Sequence, residues 1–176
     1  GPPTVLFVGR LQARKRIDLL LQACAALPEN LQPELVIVGD GPARAEFETQ
    51  AAEFYPRAQF AGAHFGDELA TYFAAADLFV LPGTGGLAIQ QAMVSGLPVI
   101  VAEGDGTQDD LVRPGNGWLL PPDDLSALTA ALQSALAAPQ RLRAMGRESY
   151  RIAAEEINLE AMVAVFVDVL NQLAIK

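Results

Sequence analysis

The chain has 176 residues, of which 51% are hydrophobic and 19% are charged, a composition typical of one well-filled globular domain. A net charge of −9 argues against general nucleic-acid binding, and no run approaches the roughly 18 uninterrupted apolar residues of a membrane span. The single cysteine, Cys24, excludes an internal disulfide framework, and we expect it to be a buried thiol in the reducing cytoplasm.

The predicted elements alternate between strands and helices. The strands are short apolar runs rich in β-branched residues, and the helices carry apolar residues three and four positions apart. In chain order they are a strand at 4–9, a helix at 17–27, a strand at 34–42, a helix at 43–54, a strand at 58–62, a helix at 67–76, a strand at 77–82, a helix beginning near Leu87, strands at 98–102 and 117–122, and helices at 124–137, 139–156 and 158–174.

This order indicates an α/β fold with a parallel sheet covered by helices on both faces. Apolar strands without alternation are buried on both sides, and right-handed crossovers between them give a doubly wound, Rossmann-like domain. Ligands of such sheets bind outside the carboxyl ends of the strands. The candidate site residues are therefore those that follow the strands, namely Gly9 and Arg10, 39–41, 62–64, 82–86 and 103–106.

A basic island, GRLQARKR, follows the first strand. Residues 1–28 carry a charge of +3, whereas the rest of the chain carries −12. Arg10 and Lys15 suit a diphosphate at a strand end, the first as a bidentate fork and the second as a point charge. In a displacement reaction they would neutralise the phosphate leaving group, which makes them the catalytic candidates. A solvated basic turn is the alternative, and Arg14 and Arg16 are expected to be solvated.

The sequence GTGG at 83–86 precedes the helix near Leu87 and contains no charged residue. The glycines leave backbone N–H groups accessible to a ligand, and the first amides of the following helix have no partner within the helix. Together they are expected to form an anion site, with Gly86, Leu87 and Ala88 as phosphate ligands. Gln91 lies one helical turn further, about 5.4 Å along the axis, which matches the reach to a ribose. A tight turn whose glycines serve packing alone is the alternative. The spacing fits neither a dinucleotide-binding motif nor a P-loop, which disfavours a dehydrogenase-type domain.

Several segments together resemble the C-terminal domain of group 1 glycosyltransferases, which are retaining, nucleotide-sugar-dependent enzymes of the GT-B fold. They are FVGRLQARKRIDLLLQA, LVIVGDGP, FAGAHFGDELATYFAAADLFVLP, GLAIQQAMVSGLPVIV and DLVRPGNGWLLPPDDLSAL, and they cover essentially the whole chain in order. The resemblance implies that residues 1–176 form a single donor-binding domain for a UDP- or GDP-linked hexose, with no metal or cofactor. It also implies an N-terminal domain of the same enzyme, absent from this chain, which supplies the acceptor site and any peripheral membrane contact.

The resemblance also assigns a role to each candidate residue. The roles are diphosphate binding for Arg10, Lys15, Gly86, Leu87 and Ala88, ribose binding for Gln91, nucleobase contact for Ala63, His64 and Leu69, and proximity to the donor sugar for Gly83, Thr84 and Gly85. For His64, the single histidine of the chain, a place in a surface turn is the alternative.

Two positions depart from the family pattern. Members usually carry two glutamates separated by seven residues across this turn, and here Gly83 and Gln91 stand in their places. An amide keeps one acceptor oxygen, so the loss of a charge-assisted bond to ribose costs roughly 1 kcal/mol. A non-catalytic module that binds a nucleotide or sugar phosphate is therefore the alternative function. Because the acceptor half is missing, we expect the isolated domain not to transfer sugar.

Overall fold

The computed structural model describes residues 1–104, 109–156 and 172–173. Within them, six strands form one parallel sheet: β1 (Thr4–Val8), β2 (Glu34–Val38), β3 (Ala58–Gly62), β4 (Leu78–Leu81), β5 (Val99–Ala102) and β6 (Gly117–Leu120). The α-helices of this part are α1 (Ile17–Ala25), α2 (Arg44–Phe54), α3 (Gly66–Ala75), α4 (Leu87–Val94), α5 (Leu125–Leu136) and α6 (Pro139–Glu156). Single turns of 3₁₀ helix lie at Ala13–Lys15, Glu29–Leu31 and Asp109–Leu111.

The strands lie in the order β3-β2-β1-β4-β5-β6, and every neighbouring pair is parallel. This is the strand order of a Rossmann-type doubly wound sheet, in which the direction of winding reverses between β1 and β4. Helix α1 contacts α2 and α5 on one face of the sheet, while α4 packs with α6 on the other. The predicted α/β fold is therefore confirmed, and its ligand crevice is expected where β1 and β4 end.

Two of the strands are buried along their whole length, and for this reason their continuous apolar sequences predict them well. Every residue of β4 and β5 is buried, as the runs without alternation indicate for a sheet covered on both faces. Cys24 is fully buried in α1, which confirms the expected burial of its thiol. Burial raises the pKa of this thiol to about 12. The helix predicted over 158–174 lies outside the described residues except for 172 and 173, which are helical.

Candidate functional site

Close backbone contacts join the carboxyl ends of β1, β2 and β3. The Gly39 N–H donates to the Gly62 carbonyl at 2.8 Å, and the Leu11 N–H donates to the Asp40 carbonyl at 2.9 Å. At Gly39 the φ angle is +143°, and an added Cβ would lie 1.8 Å from the carbonyl oxygen of Gly9. Only glycine fits there, because both the dihedral angle and the space exclude a side chain. These contacts fix the strand ends that form one side of a crevice.

The crevice has a volume of about 410 Å³ and lies between these strand ends and the first turn of α4. Six predicted site residues line it: Arg10, Ala63, His64, Leu69, Leu87 and Gln91. A neighbouring recess of about 350 Å³ between α3 and α4 shares Leu69, Leu87 and Gln91. Two wider openings, of about 740 and 610 Å³, lie beside α6, away from the carboxyl ends of β1, β2 and β3. We therefore take the strand-end crevice as the candidate site.

Arg10 is the exposed cation of this crevice. Within the described part of the chain its guanidinium has no hydrogen bond or ion pair, so all five N–H groups can face a ligand. Asp40 lines the same crevice, and its pKa is lowered, first by the Gly41 N–H that donates to it at 2.8 Å and then by Arg44. The positive charge of Arg10 lowers the pKa of Asp40 a little further.

Lys15 lies beside the crevice rather than among its lining residues. Its side chain is buried, with 8% of the residue exposed, and its Nζ donates to the Thr84 carbonyl at 2.7 Å. Burial lowers the pKa of Lys15, and the charge of Arg14 lowers it further. The aliphatic stem runs close to the residue that follows β1, since a Cβ added to Gly9 would lie 3.9 Å from Lys15 Cε. The ammonium thus lies at the junction of β1 and β4, and its bonds to the described residues leave two N–H groups for other acceptors.

The residues 82–86, which we call the glycine turn, pack directly on the Ala13–Lys15 turn. The Thr84 N–H donates to the Arg14 carbonyl at 3.2 Å, and Arg14 Nη1 donates to Thr84 Oγ1 at 2.9 Å. A Cβ added to Gly83 would lie 2.1 Å from the Arg14 carbonyl oxygen and 2.7 Å from Lys15 Cα. Position 83 therefore has no room for any side chain while the two turns keep this contact.

Arg14 and Arg16 both reach solvent, as expected, but neither is free of contacts within the protein. Arg14 is exposed, yet its side chain is bound to the glycine turn through Thr84. Arg16 pairs with Asp18 at 3.2 Å and with Asp123. Most side chains of the basic island therefore make contacts within the protein, and these contacts hold the turn that carries Lys15.

Helix α4 begins directly after the glycine turn, with Gly86 as its N-cap. The first amides of a helix have no partner within the helix, so those of Leu87 and Ala88 are available to an anion. The Leu87 side chain is 68% exposed at the crevice, and Gln91 lies exposed on the next turn. The spacing predicted between the phosphate ligands and Gln91 is therefore present on one regular helix.

His64 is held within its own turn. Its Nδ1 lies 2.8 Å from Glu68 Oε2, and its Nε2 lies 2.9 Å from the Ala61 carbonyl oxygen. Because both partners are acceptors, both ring nitrogens donate in the favoured state, which raises the pKa of His64. The larger cause is the bond to Glu68, followed by the bond to Ala61. This arrangement favours the surface-turn interpretation over a hydrogen bond from His64 to a base.

The described residues contain no group of three or more His, Cys, Asp or Glu side chains placed to hold a metal ion. None of the helices in this part of the chain combines the length and apolar character needed to cross a bilayer.

Comparison with known proteins gives one consistent result. Residues 1–152 match the family described as glycosyl transferases group 1. The chain belongs to the group 1 glycosyltransferases. A GDP-mannose-dependent alpha-mannosyltransferase of Mycobacterium tuberculosis is 41% identical over 126 residues, which is 69% of this chain and 31% of that protein. A sulfoquinovosyl transferase of Arabidopsis thaliana is 34% identical over 140 residues, which is 76% of this chain and 26% of that protein.

Solved structures agree with this family assignment. Sucrose-phosphate synthase from Thermosynechococcus elongatus, 34% identical, superposes with a TM-score of 0.83 over 98% of this chain and 45% of that chain. The match falls on the C-terminal half of such GT-B enzymes, which confirms the resemblance seen in the sequence. This glycosyltransferase chain thus spans about a third of the first curated relative and less than half of the synthase.

The sequence reasoning missed two features of the site of this glycosyltransferase domain. One is the role of Arg14, whose side chain carries the contact to Thr84. The other is the close approach at Gly83, which the glycine content of the turn only hints at. Both involve residues about 70 positions apart in the chain, and no local pattern connects such positions.

Proposed function

We propose that this chain is the donor-binding half of a retaining glycosyltransferase that moves a hexose-type sugar from a nucleotide diphosphate to an acceptor. The observation that supports it best is the crevice in which Arg10 lies together with the first turn of α4. A fork of guanidinium donors and a helix N-terminus are complementary to two linked phosphates. The family membership of residues 1–152 supplies the reaction class.

In this proposal, each predicted residue keeps its role. Arg10, Lys15 and the amides of Leu87 and Ala88 neutralise the diphosphate as it leaves, and the acceptor attacks from the same face of the sugar. Gln91 binds the ribose through its amide. The nucleobase lies against the β3–α3 loop at Ala63, His64 and Leu69, and the donor sugar lies near the glycine turn.

The proposed nucleotide is UDP or GDP, and GDP is the first candidate because the 41%-identical relative is named a GDP-mannose-dependent enzyme. The acceptor and any membrane contact belong to an N-terminal domain that we propose for the whole, cytoplasmic enzyme. For that reason we expect the isolated chain to bind donor without transferring its sugar.

Calorimetric titration of the chain with GDP, UDP and ADP, each free and sugar-linked, tests the proposal. Arg10→Ala should weaken binding of the preferred nucleotide by roughly 2 kcal/mol, or about thirty-fold, the worth of a charge-assisted hydrogen bond. Arg143→Ala is the matched control, since Arg143 is an exposed arginine on α6 that lines a different opening. No binding by the wild-type chain, or equal losses in the two variants, would contradict the proposal.

A non-catalytic binding module remains the second candidate, and one observation favours it. Gly83 stands where the family resemblance implies a glutamate near the donor sugar, and the structure leaves no space there for a side chain. Such a module would bind the nucleotide in calorimetry as the enzyme does. Transfer of labelled sugar by the full-length protein separates the two, because only the enzyme consumes the donor in the presence of acceptor.

A further inference from the structure

We propose that Arg14 is a positioning residue of the donor site. It fastens the glycine turn to the Ala13–Lys15 turn, and it thereby sets the distance between the Lys15 ammonium and the backbone amides that begin α4. The inference rests on the proposed function, because it concerns the same phosphate site. The Arg14 guanidinium is bonded to Gln12 and Thr84 and does not line the crevice, so we assign its effect to these two groups rather than to contact with the substrate.

Three hydrogen bonds connect the two turns, and all of them meet at Thr84. The Arg14 guanidinium donates to Thr84 Oγ1 at 2.9 Å, and the Thr84 N–H donates to the Arg14 carbonyl at 3.2 Å. The Lys15 ammonium donates to the Thr84 carbonyl at 2.7 Å. Arg14 Nε also donates to Gln12 Oε1 at 2.8 Å, which orients the guanidinium. Thr84 is thus held through its side chain, its N–H and its carbonyl.

The close approach at Gly83 makes this link rigid. The added Cβ at Gly83 would meet Arg14 O at 2.1 Å, Lys15 C at 2.6 Å and Lys15 Cα at 2.7 Å, all of them backbone atoms. The two backbones are therefore in direct contact, with no side chain between them. Any displacement of the Ala13–Lys15 turn is transmitted to residue 83 without a flexible group to absorb it.

The remaining distance to α4 is short but intrinsically flexible. Gly85 and Gly86 alone separate Thr84 from Leu87, and Gly85 has a φ of +153°, a conformation that L side chains rarely adopt. Two successive glycines leave the backbone free to sample many directions unless an anchor limits them. Thr84 is that anchor, and Arg14 supplies the side-chain bond that holds it. The position of the α4 amides relative to Lys15 therefore depends on Arg14.

A direct electrostatic role for Arg14 makes a different prediction from a positioning role. If Arg14 acts as a distant positive charge, its effect on the anion does not need the Thr84 hydroxyl. If it acts through the turn, removal of that hydroxyl has the same effect as removal of the guanidinium. Thr84→Val removes the hydroxyl and keeps both the shape of the side chain and the charge of Arg14.

The experiment is a double-mutant cycle on GDP and UDP affinity, measured by calorimetry with the chain itself. We expect Arg14→Ala and Thr84→Val each to weaken binding about five-fold, the worth of one hydrogen bond, and the double variant to be no weaker than either. Thr84→Ser keeps the hydroxyl and should weaken binding less than Thr84→Val does. Thermal unfolding of each variant, measured alongside, should give midpoints within a few degrees of the wild type, because the bond is exposed.

Two results would overturn the positioning role. If Arg14→Ala weakens binding while Thr84→Val does not, Arg14 acts by its charge. If the wild type binds nucleotide and neither variant binds less, the link has no part in donor binding, and the proposed function stands without it. A wild-type chain that binds none of the nucleotides overturns the proposed function together with this inference.

Discussion

Substitution of Gly83 by alanine tests the contact between the glycine turn and the Ala13–Lys15 turn most directly. The added methyl group would lie 2.1 Å from the Arg14 carbonyl oxygen, against about 3.4 Å for an ordinary contact, so the turns must separate by about 1.3 Å. A separation of this size lengthens the 3.2 Å bond from the Thr84 N–H to Arg14 beyond hydrogen-bonding range.

The magnitude follows from these two effects. Overpacking of a close-packed contact costs about 1–3 kcal/mol, and the lost hydrogen bond adds about 1 kcal/mol. We therefore expect Gly83→Ala to lower the free energy of unfolding by about 2–4 kcal/mol and to weaken nucleotide binding. Gly83→Glu, which installs the residue that the family resemblance implies here, should destabilise at least as much and should not strengthen donor binding.

Urea unfolding followed by circular dichroism measures the loss, and Gly115→Ala is the matched control. Gly115 is exposed, has no strained φ, and would place its Cβ 3.6 Å from Glu148 Cγ, an ordinary contact. Its substitution should leave stability within about 0.5 kcal/mol or raise it slightly, through the loss of freedom in the unfolded chain. If Gly83→Ala unfolds at the same urea concentration as the control, the close-contact argument is refuted.

Three further predictions concern other residues of the domain. Cys24 should resist a thiol reagent at pH 8 in the native protein and react fully in denaturant, because it is buried with a pKa of about 12; rapid native labelling would contradict this. An NMR titration of the single histidine should give His64 a pKa above its usual value, and Glu68→Gln should lower it. Since the folded pKa is the higher one, this bond stabilises the fold fully below the unfolded pKa, and the contribution is lost as pH rises through the folded pKa. In the proposed donor site, Gln91→Glu should tighten GDP or UDP binding about five-fold, with no gain for a 2′,3′-dideoxy analogue, because a carboxylate at this position would accept from both ribose hydroxyls.

The sequence predicts the fold closely because its elements are local patterns. The fully apolar runs that became β4 and β5 can be buried on both faces in only a few ways, and the order of strands and helices then gives the parallel sheet. The ends of the elements were predicted less accurately, since the helix predicted to end at Leu27 ends at Ala25. That difference reflects how weakly a sequence marks the last turn of a helix.

The candidate site was predictable in part, for a physical reason. Residues at the strand ends follow from topology, so Arg10, His64 and Gln91 were placed at one edge of the sheet, and they do line one crevice. The burial of Lys15 and the bond from Arg14 to Thr84 were not predictable. They depend on how two turns meet across the β1–β4 junction, and a charged residue that satisfies its hydrogen bonds on a distant turn leaves no trace in local periodicity.

The proposed donor binding also depends on contacts at the β1–β4 junction, and these contacts are expected to form late in folding. The pairing consists of Val5 with Leu78 and Leu6 with Phe79, and the bond from Arg14 to Thr84 closes a loop of 70 residues. Contacts of such sequence separation form late, because the loop-closure entropy is lost before they add stability. Neither β1 with its basic turn nor β4 with its glycine turn would form the proposed phosphate site alone. Nucleotide binding would therefore require that β1 and β4 have paired. A bound nucleotide would also slow local unfolding of the domain at the β1–β4 junction.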